Sequence, residues 1–183
     1  GGLRGGLALS TMLVATVFAA CTGIIGASVT TMGLLALVPM VSRGYSKSLA
    51  SGTVCAGGTL GILIPPSIML VIYGPMAEIS VGKLFAGAIV PGLVLAGLYC
   101  VYIAVRCFVD VKAGPPMSKD ERAAARMPMG RLLVSLLLNM APPLFIILAV
   151  LGTILGGIAT PTEAAAMGAA AAIILCVAKK RLT

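Results

Sequence analysis

Long apolar runs separated by short charged segments set the pattern of this sequence. No charged residue occurs within residues 5–42, 48–77, 84–105 or 132–162. A helix that crosses a membrane needs about 20 apolar residues, whereas the strands of a membrane barrel are short and alternate between apolar and polar positions. The pattern therefore predicts an all-α membrane protein, organised as a polytopic helical bundle.

The first run, residues 5–42, is too long for one straight helix across a membrane. At 1.5 Å per residue it would extend roughly 57 Å, against about 30 Å of hydrocarbon. Arg4 and Arg43 flank the run, and basic residues mark cytoplasmic segments, so both ends are expected on one side. We predict a re-entrant helical hairpin over residues 5–42. Two short spanning helices joined by a small outer turn are the alternative.

The tip of this hairpin is expected at residues 22–31. Gly23 and Gly26 allow the chain to turn there. The segment is also rich in hydroxyl groups, which belong to Thr22, Ser28, Thr30 and Thr31. The predicted turn therefore carries neutral hydrogen-bonding groups rather than charges.

The second run is interrupted by two prolines. Pro65 and Pro66 lack backbone N–H groups and clash with carbonyls one turn earlier, and Ile64 is pushed towards extended geometry. We predict a discontinuous transmembrane helix over residues 47–74, broken at Pro65 and Pro66. A break inside the membrane survives only within protein or beside a polar cavity, and in transporters such breaks mark the binding site.

The later runs predict a spanning helix at residues 83–105, kinked at Pro91, and a transmembrane helical hairpin at residues 132–183. Residues 106–131 between them are strongly charged. They predict a cytoplasmic loop with a short surface helix, and a lipid-headgroup site is the alternative interpretation. Residues 1–105 would then form one half of a transport domain.

Local signals define helix starts, turns and sidedness. Ser46 is a candidate N-cap for the second run, and Thr160 with Glu163 forms a capping-box pattern. Residues 74–78 predict an outer turn. Basic loops are expected in the cytoplasm at residues 43–47, 106–131 and 179–181.

Composition agrees with membrane insertion and excludes several functions. Hydrophobic residues make up 60% of the 183 residues and charged residues 10%, whereas soluble domains carry about a quarter charged residues. The basic loops account for the net charge of +8, and without Trp there is no support for base stacking, so we expect no nucleic-acid partner. The five cysteines are scattered and His is absent, so we expect no cofactor and no metal beyond a coupling ion. The sequence shows no catalytic triad and no paired carboxylates, so nothing in it indicates an enzyme.

The two interruptions carry the candidate chemistry. Neither of the first two runs contains Asp, Glu, Lys, Arg or His, which disfavours a proton relay. Backbone carbonyls and hydroxyls suit a hard cation, and the N-terminus of a half-helix suits a carboxylate. We predict a Na⁺ site formed by Thr22, Gly23, Gly26, Ser28, Gly58, Thr59 and Gly61. We predict that a carboxylate-bearing solute contacts Ser28, Thr31, Pro65, Pro66 and Ser67.

Each of these residues also has a purely structural interpretation. The glycines allow close helix packing, which applies to Gly23, Gly26, Gly57, Gly58 and Gly61. The hydroxyls of Ser28 and Thr31 can bond to the backbone one turn earlier. Ser67 can cap the half-helix that follows the prolines, and Glu163 can act only as a cap.

An ordered series of motifs resembles the large membrane subunit of TRAP transporters. The series comprises residues 22–33, residues 43–45, residues 58–67, residues 80–85, Pro91-Gly92 and residues 160–165. The resemblance is strong over residues 5–105 and looser over residues 132–178. Pro39 stands one position later than in similar sequences, which affects where the second hairpin arm ends.

This resemblance implies a Na⁺-driven secondary transporter of the bacterial inner membrane with an elevator-like transport domain. It implies two protein partners, a periplasmic solute-binding protein that delivers a small carboxylate solute and a small membrane subunit. The family is built from two inverted halves, and we expect this chain to hold the first half plus connecting helices. The alternative is a channel or a scaffold subunit without an ion-coupled site.

Overall fold

The computed structural model describes residues 4–110, 113–116, 141 and 144–178, and every regular element in these ranges is helical. The all-α prediction is therefore confirmed for this part of the chain. The helices are α1 (Gly6–Thr22), α2 (Ile25–Ser42), α3 (Lys47–Thr59), α4 (Ile68–Met76), α5 (Val81–Val109), α6 (Leu144–Leu155) and α7 (Pro161–Ala178). The surface helix expected within residues 117–131, the start of the hairpin at 132–140 and the basic loop at 179–181 lie outside the described residues.

A two-residue turn joins α1 to α2. Gly23 adopts the left-handed conformation with φ +62°, and its N–H donates to the carbonyl of Ala19 at 2.9 Å. Ile24 is extended, and α2 begins at the next residue. Because a residue with a Cβ resists positive φ, glycine suits this helix end.

Helix α2 contains a wider segment at its centre. Gly33–Leu37 is π-helical, and α-helical turns lie on either side of it. Pro39 sits in the first turn of the α-helical segment Val38–Ser42, so the helix continues past the proline to Ser42. The changed hydrogen-bonding pattern directly before Pro39 accommodates a ring that clashes in a regular helix interior.

The second run forms two helices with a non-helical segment between them. Helix α3 tightens into a 3₁₀ turn at Leu60–Ile62, and α4 begins at Ile68. Residues 63–67 between them are not helical, and the Pro65–Pro66 peptide bond is cis. Helical structure thus stops ahead of the two residues that cannot donate a backbone hydrogen bond.

The turn predicted at residues 74–78 is wrong in its first half, because α4 continues through Gly74 and Pro75 to Met76. The N–H of Ala77 donates to the carbonyl of Tyr73 at 2.9 Å and that of Ile79 donates to the carbonyl of Gly74 at 2.9 Å, which closes the helix. A proline this close to a helix end removes one bond without stopping the helix.

Helix α5 is longer than the predicted span 83–105 and is about 43 Å long from its 29 residues. The loop predicted from residue 106 therefore begins later, because Arg106 lies in the last helical turn. The Arg106 side chain is 3.7 Å from the carboxylate of Asp110, one turn on. A cation near a helix C-terminus is favourable, so the basic residue extends the helix instead of ending it.

Different segments of the chain meet at each of the two ends of the bundle. At one end, the N–H of Gly5 donates to the carbonyl of Gly114 at 3.2 Å and the N–H of Ser46 donates to the carbonyl of Ala113 at 3.1 Å. At the other end, Phe85 and Ile154 share an apolar cluster with Ala164. The loop after α2 and the segment after α5 therefore lie together, away from the α4–α5 and α6–α7 connections.

Two predicted helix starts are confirmed. The Ser46 hydroxyl accepts the N–H of Leu49 at 3.3 Å and caps α3. At α7 the Glu163 carboxylate accepts the N–H of Thr160 at 2.7 Å, and the Thr160 hydroxyl accepts the N–H of Glu163 at 3.4 Å. This reciprocal pair is the capping box expected from the sequence.

Two helices in the described ranges, Ile25–Ser42 and Val81–Val109, are long and apolar enough to cross a membrane. Only 22% of each apolar window is buried within the described chain. Helices α1, α6 and α7 are apolar but shorter. The apolar outer faces are therefore surfaces for lipid or for other protein segments.

Candidate ion and solute site

The turn between α1 and α2 contacts the break between α3 and α4. A Cβ placed on Gly23 would lie 3.0 Å from the carbonyl oxygen of Pro66 and 3.6 Å from the backbone nitrogen of Ile68. Gly23 is buried and has positive φ, so both its conformation and its surroundings favour glycine. The two interruptions found in the sequence thus lie side by side.

Three glycines of the second run let the α1–α2 hairpin approach closely. A Cβ on Gly57 would be 2.5 Å from the Cβ of Ala15, and one on Gly61 would be 2.8 Å from the carbonyl oxygen of Ala19. Gly58 lies against Val29 of α2, whose backbone nitrogen would be 3.0 Å from an added Cβ. These contacts support the packing interpretation of the three residues.

Gly26 differs from the other candidate glycines. It is exposed, and a Cβ built on it meets no atom within 4 Å. Close packing inside the described chain therefore does not explain this glycine.

Ser28 and Thr22 bring two hydroxyl groups together across the hairpin turn. Their oxygens are 2.5 Å apart, within hydrogen-bond distance. Ser28 is fully buried, and its hydroxyl also donates to the carbonyl of Ile24 at 2.9 Å. Thr22 bonds to the carbonyls of Phe18 and Ala19, each at 3.2 Å. The interpretation of Ser28 as bonded to the backbone one turn earlier is confirmed, and the pairing with Thr22 adds to it.

Ser67 does not cap α4, so the capping interpretation is wrong. Its hydroxyl donates instead to the carbonyl of Ile62 at 2.7 Å, which lies on the other side of the break. Ser67 is 1% exposed. A carbonyl left without a helical partner by the prolines is satisfied by this side chain, because a buried unpaired acceptor is costly.

The remaining predicted residues are placed less centrally. The Thr59 hydroxyl donates to the carbonyl of Ala56 at 2.8 Å within its own helix. Thr31 is half-buried, three residues after Ser28 and so on the same face of α2. Pro65 is buried and Pro66 is half-buried within the break.

Two helices begin at this junction without a side-chain cap. Ile24 precedes α2 and Ser67 precedes α4, and both are extended, with φ −129° and −115°. The first-turn N–H groups of such helices have no intrahelical acceptor, and their dipoles favour negative charge.

The site is built from neutral groups. In the described ranges no group of three or more His, Cys, Asp or Glu residues is placed to hold a metal ion. No buried side-chain nitrogen or oxygen in those ranges lacks a hydrogen-bond partner. A hydroxyl that donates its hydrogen still offers oxygen lone pairs, so Ser28 and Ser67 retain the capacity to ligate a cation.

Sequence reasoning missed the carbonyl of Ile62, which accepts the Ser67 hydroxyl, and the contact between the break and α5. A Cβ on Gly92 would be 2.8 Å from Cγ1 of Ile64. A glycine in an apolar helix allows a neighbour to approach closely, so Gly92 was the available clue to this contact.

Apolar-faced helices around two adjoining interruptions with neutral oxygens are typical of helical membrane transporters. The family model described as "Tripartite ATP-independent periplasmic transporter, DctM component" matches residues 1–183. The chain belongs to this family, and the resemblance seen in its motifs is confirmed.

Curated relatives agree with this assignment. The chain is 41% identical over 174 residues to the C4-dicarboxylate TRAP transporter large permease protein DctM of Vibrio cholerae, covering 92% of this chain and 35% of that protein. It is 42% identical over 171 residues to the protein of the same name from Pseudomonas aeruginosa, covering 92% and 37%. It is 39% identical over 175 residues to the isethionate TRAP transporter permease protein DctMQ of Oleidesulfovibrio alaskensis, covering 96% and 26%. These relatives are named as transporter permeases and not as enzymes, and this chain spans about a third of their length or less.

Proposed function

We propose that the full-length protein is the large permease subunit of a Na⁺-coupled TRAP transporter that takes up a small carboxylate-bearing solute. The observation that carries the proposal is the contact between Gly23 and the Pro66 carbonyl, which joins the two interruptions into one polar junction. Two interrupted helices that face each other are the arrangement by which secondary transporters hold a solute and an ion.

The depth of the junction supports this proposal. Gly92 contacts Ile64 at the break and lies 11 residues after the start of α5 and 17 before its end, or roughly 17 and 26 Å along the helix. With α5 spanning the membrane, the junction lies near the middle of the hydrocarbon layer. Residues 5–42 then enter and leave on one side as a re-entrant hairpin, and residues 47–74 form a discontinuous transmembrane helix.

The chemistry of the junction favours Na⁺ as the coupling ion. Its polar groups are hydroxyls and carbonyls, and hard cations prefer such oxygen ligands. Ser28 and Ser67 are the buried hydroxyls nearest to the two interruptions. We assign the cation to Thr22, Gly23, Gly26, Ser28, Gly58, Thr59 and Gly61.

The anionic solute is assigned to the uncapped starts of α2 and α4. Free N–H groups and a positive dipole end stabilise a carboxylate without any basic side chain. The residues concerned are Ser28, Thr31, Pro65, Pro66 and Ser67. Relatives named for C4-dicarboxylates support a carboxylate-bearing solute, and a relative named for isethionate, which is a sulfonate, supports only an anionic one.

We further propose the assembly and its location. The family description is tripartite, which supports a periplasmic solute-binding protein and a small membrane subunit as partners. The bacterial inner membrane is the proposed location, with basic loops 43–47, 106–131 and 179–181 in the cytoplasm. Helices α1, α2 and α3 pack as one block through their small residues, which suits a transport domain that moves as an elevator.

Sodium-dependent stabilisation of the purified full-length permease tests the cation site without knowledge of the solute. We expect NaCl to raise the melting temperature more than KCl does at equal ionic strength. Ser28→Ala and Thr59→Val should each weaken the apparent Na⁺ affinity by about tenfold, the effect of losing roughly one favourable ligand contact. The matched control is Ser51→Ala, because Ser51 is exposed and bonds only within α3.

Uptake into proteoliposomes that contain the permease and the small membrane subunit, with the solute-binding protein added, tests whether solute transport is coupled to Na⁺. Uptake of a radiolabelled C4-dicarboxylate or isethionate should require both a Na⁺ gradient and the binding protein. Passive flux without Na⁺ or binding protein would indicate a channel. Unchanged Na⁺ dependence in both Ser28→Ala and Thr59→Val would rule out the assigned cation site.

A further inference from the structure

A cavity lies between α1, α3 and α5, away from the junction of the two interruptions. Its volume is about 560 Å³, within the range of small-molecule sites. None of the residues assigned to the ion or to the solute lines it. The cavity therefore needs its own explanation.

The cavity is polar at one end and apolar at the other. Ser46 and Ser48 line it at the start of α3, and Arg106 lines it in the last turn of α5. The hydrogen bond from the Ser46 N–H to the Ala113 carbonyl places these two helix ends together. The hydroxyls and the guanidinium thus share one end of the cavity.

The apolar end lies deeper along both helices. Ala56 lines the cavity eight residues after Ser48, and Leu98 lines it eight residues before Arg106. Eight helical residues correspond to roughly 12 Å, so the cavity follows α3 and α5 for about half of a hydrocarbon layer. Met12 of α1 forms part of its apolar wall.

Arg106 has the capacity to bind an anion there. Its partner Asp110 is 3.7 Å away, and the two side chains are 49% and 40% exposed, so the ion pair is weak. A guanidinium offers five N–H donors, more than this one contact uses. Lys47 lies between Ser46 and Ser48, and no acidic side chain among the described residues lines the cavity.

We propose that this cavity binds an anionic phospholipid. The phosphate sits at Arg106 beside the hydroxyls of Ser46 and Ser48, and one acyl chain runs inward to Ala56 and Leu98. Basic pockets between membrane helices recognise anionic headgroups in this way. Tyr102, one turn before Arg106, lines the cavity near the level where aromatic rings favour the membrane interface.

The charge distribution selects this occupant over another protein segment. An apolar covering helix would complement the apolar wall but would leave the guanidinium with only its weak pair to Asp110. A free phosphate would pair with Arg106 but would leave the apolar end unfilled. A phospholipid with an anionic headgroup fits both ends.

Native mass spectrometry of the full-length permease, released from nanodiscs of equal parts phosphatidylglycerol and phosphatidylcholine, tests the proposal. We expect retained phosphatidylglycerol to exceed phosphatidylcholine. Arg106→Gln should reduce this preference about fivefold, and Arg106→Lys should keep most of it. Lys83→Gln, at the opposite end of α5, is the charge control and should change nothing.

A second variant tests the acyl-chain end. Gly52 lines the cavity, and a Cβ there meets no atom within 4 Å, so Gly52→Leu fills space without a clash. It should reduce phospholipid retention several-fold. Gly87→Leu is the matched control, because a Cβ on Gly87 also meets no atom within 4 Å and Gly87 lies outside the cavity.

Three results would overturn the proposal. The first is retention that is equal for both lipids in the unchanged protein. The second is retention that Gly52→Leu and Arg106→Gln leave intact, which would place another segment of the protein in the cavity. The third is displacement of bound phosphatidylglycerol by inorganic phosphate at the same molar concentration as the lipid phosphate, which would identify a free-anion site.

Discussion

The backbone N–H of Leu7 donates a hydrogen bond to the phenolic oxygen of Tyr45 at 3.2 Å. This bond ties the first turn of α1 to the loop after α2, 38 residues further on. Tyr45 is 5% exposed, and its ring belongs to the main apolar cluster of the bundle. The base of the α1–α2 hairpin is thereby closed by one side chain.

Tyr45→Phe should destabilise the full-length permease by about 1–3 kcal/mol, because it leaves a half-buried N–H without its acceptor. Burial raises the pKa of Tyr45, so the phenol stays neutral and the loss should be the same at pH 6 and pH 8. Thermal unfolding in detergent measures it. Tyr102→Phe, at a side chain that is 63% exposed, is the control and should have little effect.

Gly58→Ala should lower the free energy of unfolding and Gly52→Ala should raise it, although both glycines lie in α3. An added methyl group at Gly58 collides with Val29, including its backbone, and should cost about 1–3 kcal/mol. At Gly52 the methyl group meets nothing, and the better helix former should add about 0.5–1 kcal/mol. Denaturation of both variants under one condition compares them. Equal effects would contradict the close approach of α2 to α3.

Gly23→Ala should cost more than Gly157→Ala. Both glycines have positive φ, +62° and +68°, so each substitution carries a backbone penalty of about 1–2 kcal/mol. Only Gly23 has a neighbour, the Pro66 carbonyl, in the place of the new methyl group. The difference in melting temperature between the two variants therefore measures the contact between the interruptions. Equal losses would mean that this contact does not constrain the site.

Thr22→Val and Ser28→Ala should not act independently. The two hydroxyl oxygens form a hydrogen-bonded pair, so a double-mutant cycle on stability should give a coupling energy of about 1 kcal/mol. Thr16→Val replaces Thr22→Val in the control cycle, because Thr16 bonds only to the carbonyl of Met12. That cycle should give additive losses. Additivity in the test cycle would separate Thr22 from Ser28.

Local chemistry made part of the fold predictable. Ser46 caps α3 and Thr160 caps α7 as expected, because a cap depends on residues three positions apart. The family was predictable from ordered motifs, and the family match confirmed it. The true end of α5 was not, since the pairing of Arg106 with Asp110 favours helix where charge alone indicated a loop.

The candidate site was predictable in its location and less so in its contacts. The prolines and glycines marked the two segments, and the structure places them side by side. The partner of Ser67 was not predictable, because its bond to the Ile62 carbonyl depends on how the chain folds back across the break. The roles of the residues in binding Na⁺ or solute remain predictions.

The π-helical turn in α2 has a consequence for how the hairpin rests on its neighbour. The buried positions of this helix, Ser28, Met32, Ala36 and Met40, recur at every fourth residue. In a uniform α-helix such a stripe would rotate by about 40° at each step and wind away from α3. A wider turn at Gly33–Leu37 offsets part of that drift. Deleting one residue there would leave a regular α-helix with Met40 still in phase, whereas inserting one would rotate the last turns by about 100° and lift Met40 from the core.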